Sequence, residues 1–271
     1  MAEVFETFKP KNTMLQALVD YYYLDIKSEN ETHQFQCFPH FNNTISLYSS
    51  HKHLENGDVM FDKTAEELQI FTPIREKVLH VRQLGEVHRI VIVFHPLGIQ
   101  QFYRQLSFKK ILNNYEFFKK QELTRLFSTT NINTLTDLLD SFLVKRYIKF
   151  EHNILEKSLQ YVFTNFESFS VNYLSEYLNI SRQHLNRIFK SYLGVSVKKF
   201  QEIVLFRKTM NKRLFENSEE NFTSLAYEFN FNDQSHLNKT YKNLTNNSPK
   251  AFFHKGTVLG RQDTFWHLIK S

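Results

Sequence analysis

The sequence predicts an α+β protein with two domains: a small β-barrel with added helices at the N-terminus, and an all-α domain at the C-terminus. Three observations support this fold class. The chain has 271 residues, which favours two domains at about 150 residues per domain. Short runs rich in Val, Ile, Phe and Thr extend to residue 94, as expected for strands. Beyond Pro96, apolar residues recur at helical spacing.

The N-terminal region, residues 1–150, divides into a β-rich part at 1–96 and a helical part at 97–150. Polar segments separate its apolar runs, so strands are predicted at 33–38, 43–48, 58–61, 68–71, 78–82 and 87–94. Strands this short and frequent are typical of a small antiparallel barrel or sandwich. One helix is predicted before them, at about 12–24, and three after them, at 97–105, about 114–127 and 133–150.

Residues 151–255 are predicted to be helical with short turns, and residues 256–271 form a tail without a recognisable motif. The boundary is placed near 148–152, because a basic segment ends one helix there and Leu155 begins a new apolar stripe. Residues 197–215 contain no Pro or Gly, and the spacing predicts one continuous helix. Its apolar stripe consists of Phe200, Ile203, Val204, Met210 and Leu214.

Composition excludes several classes of protein. Cys37 is the single cysteine, so an intrachain disulfide, a zinc finger and an iron–sulfur cluster are ruled out. No secretory signal is visible at the start. The longest apolar run, Ile90–Phe94, is far shorter than the roughly 20 residues that span a bilayer. We therefore expect a soluble, cytoplasmic protein with no membrane partner.

Charge is unevenly distributed along the chain. The formal net charge is +6. No Asp or Glu occurs from Tyr177 to Gln201, or from Gln234 to Gln262, although each segment contains five Lys or Arg. Two basic segments without acids in one half of the chain indicate surfaces that contact a polyanion.

An internal repeat lies in the same half. The segment His184–Lys190 recurs as His236–Lys242 at an offset of 52 residues. Ser181 and Asp233 precede the copies, and both are good N-cap residues. A short helix is predicted before each cap, with a small residue, Ser175 or Ala226, where two helices would cross closely. Each copy therefore has the pattern of a helix-turn-helix.

The outward face of each second helix carries residues suited to DNA. Arg pairs with guanine, and Asn or Gln with adenine, in the major groove, while Lys and Ser suit phosphate oxygens. The predicted DNA-binding residues are Arg182, Gln183, Asn186, Arg187 and Lys190 in the first copy, and Gln234, Ser235, Asn238, Lys239 and Lys242 in the second. The intervening helix would be roughly 28 Å long, close to the roughly 34 Å of one turn of B-DNA.

Residues 151–255 resemble the DNA-binding domain of the AraC/XylS family of bacterial transcription regulators. The resemblance rests on segments 169–175, 179–190 and 194–196 in the first copy, and on 225–242 with Ser248–Pro249 in the second. The family usually has Gly where Asn230 and Asn246 stand, and Asn tolerates the left-handed conformation better than most residues. Phe252–Phe253 replaces the family's Tyr-Arg, so one backbone contact differs.

The resemblance implies a transcription regulator, not an enzyme, that binds double-stranded DNA as a homodimer and recruits RNA polymerase, as an activator does. It also implies a cupin-like sensor and dimerisation domain in residues 1–150, on which a small-molecule effector or a partner acts. The apolar strip of Leu135, Leu139, Phe142 and Leu143 is the expected dimer surface.

Alternatives remain open from the sequence alone. His51 and His53 with Glu55 suggest a metal site and a cupin-like, small-molecule-processing enzyme with an appended DNA-binding domain. Surface histidines with no metal and no cofactor are the preferred interpretation, because the spacing to Glu55 is too short. A ligand-independent dimerisation module is a further alternative. Tyr21–Tyr23 is expected to pack, or to line a pocket or dimer face, and Cys37 is expected in the core.

Overall fold

The N-terminal domain consists of two six-stranded sheets. The computed structural model describes residues 3–113, 115–166, 168–216 and 221–269. The first sheet has the order β1 (Val4–Phe8), β2 (Val19–Lys27), β9 (Val87–Phe94), β4 (Asn43–Tyr48), β7 (Leu68–Thr72) and β10 (Leu112–Asn113). The second has the order β11 (Thr257–Val258), β12 (Phe265–Ile269), β3 (Thr32–Cys37), β8 (Leu79–Leu84), β6 (Val59–Phe61) and β5 (His51–His53). Neighbouring strands are antiparallel except for the pair β6–β8.

The first sheet is buried on both faces. One face packs against α1 (Thr13–Gln16), α2 (Lys120–Phe127) and α3 (Ile132–Arg146), with Ile90, Ile92 and Phe94 of β9 in that core. The other face meets the second sheet through a smaller aromatic cluster. Burial on both sides explains why residues 90–94 of β9 form an uninterrupted apolar run instead of an alternating one.

Several sequence expectations for this domain need correction. Among the described strands the sheets do not close into a barrel, and they face each other as separate layers. The helix expected at 12–24 is limited to Thr13–Gln16, because β-forming aromatic residues pair Val19–Lys27 with β9 instead. The helix expected at 97–105 is a single 3₁₀ turn, Ile99–Gln101. The six strands expected between 33 and 94 are all present within one or two residues.

The expected dimer strip is wrong. Leu135, Leu139, Phe142 and Leu143 are at most 3% exposed and pack into the core under the first sheet. The apolar stripe of α3 is therefore the inner face of the helix, and it is covered by the same chain.

The C-terminal domain is helical. Its elements are α4 (Asn153–Thr164), α5 (Val171–Tyr177), α6 (Arg182–Tyr192), α7 (Val197–Asn211), α8 (Phe222–Glu228), α9 (Gln234–Thr245) and α10 (Pro249–Lys255). The helix expected over 197–215 is present as α7, which a π-helical turn, Lys212–Glu216, prolongs. In the described parts of the chain, no helix has the length and hydropathy needed to cross a membrane.

Helix α7 belongs to two hydrophobic cores. Its first half packs with α4, α5 and α6 through Phe200 and Ile203. Its second half packs with α8, α9 and α10 through Phe206 and Met210. Phe206 contacts Tyr241 of α9 edge to face, with ring centroids 5.0 Å apart. Both helix pairs are therefore mounted on one helix.

The tail returns to the N-terminal domain, which the sequence did not indicate. Strand β12 pairs antiparallel with β3, with Leu268 opposite Phe35. The Trp266 ring stacks on Phe35 with centroids 4.4 Å apart. Arg261 donates its backbone N–H to Thr7 of β1 at 2.8 Å. The tail therefore adds two strands, β11 and β12, to the second sheet and ties the two ends of the chain together.

Candidate nucleic-acid interface and inter-sheet cavity

The first helix-turn-helix consists of α5 and α6. The Ser181 hydroxyl accepts from the His184 backbone N–H at 3.1 Å, which caps α6 as expected. Ser175 is buried where the helices cross, and its Oγ donates to the Asn172 carbonyl of its own helix at 2.8 Å. Asn179 forms the turn in the left-handed conformation, at φ 51°. These features hold α6 with one face outward.

The second helix-turn-helix consists of α8 and α9 and repeats this construction. The Asp233 carboxylate accepts from the His236 backbone N–H at 2.7 Å and caps α9. Ala226 is fully buried at the crossing. Asn230 and Asn246 have φ 55° and 61°, so asparagine adopts the left-handed conformation where the related family usually has glycine.

The exposed face of α6 contains four of its five predicted DNA-binding residues: Arg182, Gln183, Arg187 and Lys190. Arg182 donates to the Asn172 side chain at 3.1 Å, and Arg187 is hydrogen bonded to His184 at 2.8 Å. These intramolecular bonds orient both guanidinium groups. The face is therefore a polar and basic surface along the length of the helix.

The fifth residue, Asn186, is placed differently. It is half-buried, and its side-chain oxygen accepts from the Val197 backbone N–H at 3.2 Å. Its amide nitrogen donates to the Arg182 carbonyl at 3.1 Å. Asn186 therefore holds the start of α7 against α6. A hydrogen bond from its side chain to a DNA base would require one of these two intramolecular hydrogen bonds to break.

On α9 the pattern is similar. Four predicted residues are exposed, namely Gln234, Ser235, Lys239 and Lys242, and Asn238 is half-buried. The Gln234 side-chain oxygen accepts from Thr223 of α8 at 2.9 Å. Each helix thus offers one exposed polar face, and shared packing on α7 fixes their relative orientation.

A cavity of about 130 Å³ lies between the two sheets. Aromatic rings line it, including Tyr21, Tyr23 and Trp266, together with Arg75, Arg89 and Arg207. The three consecutive tyrosines occupy different places: Tyr21 and Tyr23 line the cavity, whereas Tyr22 lies in the other core and donates to Asp140 at 2.9 Å.

Arg89 sits inside an aromatic cage. Its guanidinium carbon lies 5.3 to 5.6 Å from the ring centroids of Tyr23, Phe35, Tyr48 and Trp266, and its NH2 donates to Asp25 at 2.7 Å. The Nε atoms of Arg89 and Arg75 are buried without a hydrogen-bond partner. The cavity therefore combines apolar walls with unused donors.

Arg207 of α7 connects the cavity to the C-terminal domain. It donates to the backbone carbonyls of Pro39 at 2.6 Å and Phe38 at 3.0 Å, and to Asp263 of the tail at 3.0 Å. His40 completes the cluster: its Nδ1 accepts from the Asn42 backbone N–H at 3.0 Å. Its Nε2 therefore carries the proton and donates to Asp263 at 3.1 Å.

Burial sets the charges in this cluster. Burial and, to a smaller extent, Arg207 lower the pKa of His40 to about 4, against the opposing effect of Asp263. Burial alone would raise the pKa of Asp263, but Arg207 and His40 lower it on balance. At neutral pH the cluster is therefore one ion pair with a neutral histidine bonded to it.

The histidine pair is not arranged as a metal site. His51 lies on β5, and its ring nitrogens are hydrogen bonded to the carbonyls of Ser49 and Glu86. Within the described ranges, no group of three or more His, Cys, Asp or Glu could hold a metal ion. Cys37 is buried, and burial raises the pKa of its thiol.

Arg207, Asp263 and Trp266 were missed by sequence reasoning. Arg207 did leave a signal, since it follows Ile203 by four positions on the buried stripe of α7. A charged residue at that register indicates a buried partner. Asp263 and Trp266 had no such signal, because their partners are distant in the chain: Arg207 lies 56 residues from Asp263, and His40 and Phe35 lie more than 200 residues from Asp263 and Trp266.

A family model and several solved structures are similar to this chain. The family model described as "Helix-turn-helix domain" matches residues 174–255. No curated protein matches the chain. Among solved structures, a ToxT structure from Vibrio cholerae is 14% identical with a TM-score of 0.48, and the match covers 86% of this chain and 97% of that chain.

Two further structures of the same protein give similar values. ToxT from Vibrio cholerae O395 is 14% identical, with a TM-score of 0.46 and coverage of 88% and 98%. ToxT from strain SCE256 with bound unsaturated fatty acid is 13% identical, with a TM-score of 0.43 and coverage of 85% and 94%. Residues 174–255 themselves belong to the helix-turn-helix domain family, in the AraC-type form that the sequence resembles.

Proposed function

We propose that this protein is a sequence-specific transcription regulator that inserts α6 and α9 into successive major grooves of double-stranded DNA. The proposal depends on one observation: two capped helix-turn-helix motifs pack against the two halves of a single helix, α7. Each exposed face has donors that match base edges and cations that match phosphates. Two sites held rigidly add their binding energies only when both can engage at once.

Selection from a pool of random duplexes tests this function. The full chain should enrich one consensus with two short elements about 10 base pairs apart. Its affinity should fall steeply between about 50 and 200 mM salt, because Lys and Arg contacts release counterions from the phosphates. Recovery of unselected sequences with an affinity that salt does not change would overturn the proposal.

We further propose that the inter-sheet cavity is the site of a small-molecule effector. A cavity of about 130 Å³ approaches the roughly 150 Å³ of engineered apolar cavities that bind benzene. The unpaired Nε atoms of Arg75 and Arg89 favour a ligand with a hydrogen-bond acceptor on a ring-sized apolar body. Arg207 belongs to α7 and also lines the cavity. A ligand bound in the cavity can therefore alter how the helical domain docks against the sheets.

Trp266 provides the readout for the effector. It is the single tryptophan of the chain and lines the cavity, so its fluorescence reports occupancy directly. Titration with ring-sized aromatic acids and alcohols should give a saturable change in emission for at least one compound. A Tyr23→Phe, Arg89→Met double variant should lose that change. If no compound changes the emission of the wild-type chain, the cavity is not an effector site.

The resemblance to AraC/XylS regulators also leads us to propose a homodimer and a contact with RNA polymerase. No surface is assigned to either partner, since the apolar strip on α3 is internal. Sedimentation of the full chain with and without its selected duplex tests whether the protein forms a homodimer. Transcription in vitro from a promoter with that duplex upstream tests the contact with RNA polymerase, and a rise would identify an activator.

A further inference from the structure

A loop of the N-terminal domain lies beside α6, the first of the two helices proposed to read base edges, which we call the reading helices α6 and α9. Lys109 lines a surface groove together with Gln183, Asn186, Arg187, Lys190 and Ser191 of α6. Those five positions follow one another at helical spacing along one side of α6. The groove therefore has the predicted reading face as one wall and Lys109, from the other domain, as the opposite wall.

Backbone contact holds this loop in place. Phe108 is buried and meets Phe71 edge to face at 5.6 Å. Gly194, in the turn after α6, has φ 80°, and a Cβ atom there would lie 2.1 Å from the Phe108 carbonyl oxygen. The loop and the turn thus touch at a point where only glycine fits. Lys109 follows Phe108 directly, so its Cα position relative to α6 is fixed.

The rest of the domain contact supports the same placement. Ile74 and Leu97 of the N-terminal domain are buried in the core of the first helix-turn-helix. Gln100 donates to the Tyr192 carbonyl at the end of α6 at 2.7 Å. The loop is therefore carried on a packed interface.

Charge at this surface is of one sign along the loop. No Asp or Glu occurs from Val87 to Tyr115, while Lys109 and Lys110 are adjacent and exposed. Lys109 and Lys110 also line a second groove beside Gly194. The opposite charges of Glu76 and Lys77 in that groove cancel. The loop thus brings a third basic segment without acids next to the basic segment that contains α6.

We propose that Lys109 and Lys110 bind the DNA phosphate backbone that flanks the groove entered by α6, so that the N-terminal domain is part of the DNA interface. The proposal rests on the proposed DNA-binding function. Duplex DNA is the occupant that fits, because a strand entering beside a reading helix carries one negative charge per phosphate along its length. Lysines in this position would set affinity without reading sequence.

The test uses the full chain and the duplex that the wild-type chain selects. Each lost phosphate contact reduces the slope of log affinity against log salt by about 0.9. The Lys109→Ala, Lys110→Ala variant should therefore lose about 1.8 of that slope, and bind about 30-fold more weakly at about 0.15 M salt. The selected consensus should stay the same. Lys109→Arg, Lys110→Arg should restore both affinity and slope.

The matched control is Lys119→Ala, Lys120→Ala, which removes the same charge from adjacent exposed lysines of the same domain, where Lys120 pairs with Glu66. It should leave the slope unchanged. An alanine pair at 109 and 110 that binds as the wild type does would overturn the inference and leave the proposed function intact. Tighter binding by that variant would show that the loop obstructs DNA, which also overturns it. A wild-type chain that selects no duplex defeats both proposals.

Discussion

Arg207 and Asp263 form a buried ion pair, 3.0 Å between NH1 and Oδ1, that joins the linker helix to the C-terminal tail. The Arg207 side chain is 4% exposed and Asp263 16%. Asp263 also accepts from His40 of the N-terminal domain. Three separate parts of the chain therefore meet at one carboxylate, and any movement of the helical domain relative to the sheets must rearrange it.

Arg207→Met should destabilise the protein by about 3–5 kcal/mol, because it leaves a buried carboxylate without its cation. Asp263→Asn should cost less, since two backbone carbonyls still accept from Arg207. The free energy of unfolding from denaturant titration measures both. The control is Lys11→Met, which breaks the exposed pair with Asp137 and should cost under about 1 kcal/mol. Equal effects at Arg207 and Lys11 would contradict the assigned role.

Stability should fall as the pH drops from about 6.5 to 4, in part through His40. Its pKa is near 4 in the folded protein and 6.5 when exposed, so the unfolded chain binds more protons within that window. Stability therefore rises with pH there, by roughly 3 kcal/mol at 1.36 kcal/mol per unit. Asp263 acts at lower pH: its lowered pKa stabilises the fold above its unfolded value, and this is lost as the pH falls through the folded value.

His40→Gln isolates the histidine contribution. Glutamine keeps an acceptor and a donor but does not titrate in this range. Unfolding free energies at pH 7 and pH 4.5 should differ less in the variant than in the wild type. Other histidines with lowered pKa values, such as buried His51 and half-buried His88, act equally in both proteins and cancel in the difference. An identical pH dependence in both would show that His40 is not buried neutral.

Trp266→Ala should open space in the inter-sheet cavity and destabilise the protein by about 3–5 kcal/mol. Because the ring stacks on Phe35 and meets Phe5 edge to face, the vacated space has the shape of an indole. Added indole should therefore raise the melting temperature of the variant more than that of the wild type. Val258→Ala, which truncates an exposed side chain of the same tail, should show no such rescue. Equal responses of all three proteins to indole would mean that the cavity does not admit it.

Local signals made the helical domain predictable. Ser181 and Asp233 mark the starts of α6 and α9, because an N-cap side chain bonds to a backbone N–H only three residues later. Asn230 and Asn246 adopt the left-handed conformation inferred for them, since that preference is a property of the single residue. Six of the seven described strands from β3 to β9 were predicted for the same reason, as each is bounded by turn residues within the local sequence; the short β5, His51–His53, was not.

Features that depend on distant partners were not predictable. Residues 19–24 were expected to be helical, and only the pairing of β2 with β9 makes them part of a strand. The tail strand β12 needs β3 beside it, more than 200 residues earlier. The apolar strip on α3 was identified correctly, but it was assigned to a dimer contact and is covered by the first sheet of the same chain. Periodicity shows that a face is buried but not what covers it. Asn186 was assigned to DNA, whereas the start of α7 engages its oxygen.

Arg187→Ala and Gln183→Ala should change which sequences are preferred, at a cost of about 1–3 kcal/mol at particular base pairs. Lys190→Ala and Lys242→Ala should weaken all duplexes alike, because phosphate contacts carry no sequence information. Repeating the random-duplex selection with each variant measures the difference. If the Arg187 and Gln183 variants return the wild-type consensus, the reading face is wrongly assigned. Asn186→Ala should instead lower stability, by freeing the Val197 N–H.

The last prediction concerns the fixed spacing of the two reading helices. Phe206 packs on Tyr241 of α9, and Phe200 packs on Phe189 of α6, with ring centroids 5.0 and 5.8 Å apart. Both contacts belong to α7, so the helices cannot separate without breaking a core. Footprinting should then show two protected major grooves per monomer, about 10 base pairs apart on one side of the duplex. Lys239→Ala with Lys242→Ala should remove only the second.

Changing the DNA and leaving the protein intact tests this rigidity. Inserting about 5 base pairs between the two elements turns the second groove to the opposite side of the duplex and should abolish its protection. Inserting about 10 restores the side but doubles the distance between the grooves to about 68 Å, roughly three times the length of α7, whose 15 residues span about 22 Å. A rigid α7 therefore predicts a lost second footprint in both duplexes. A second footprint that returns with the longer insertion would show that the two motifs move independently.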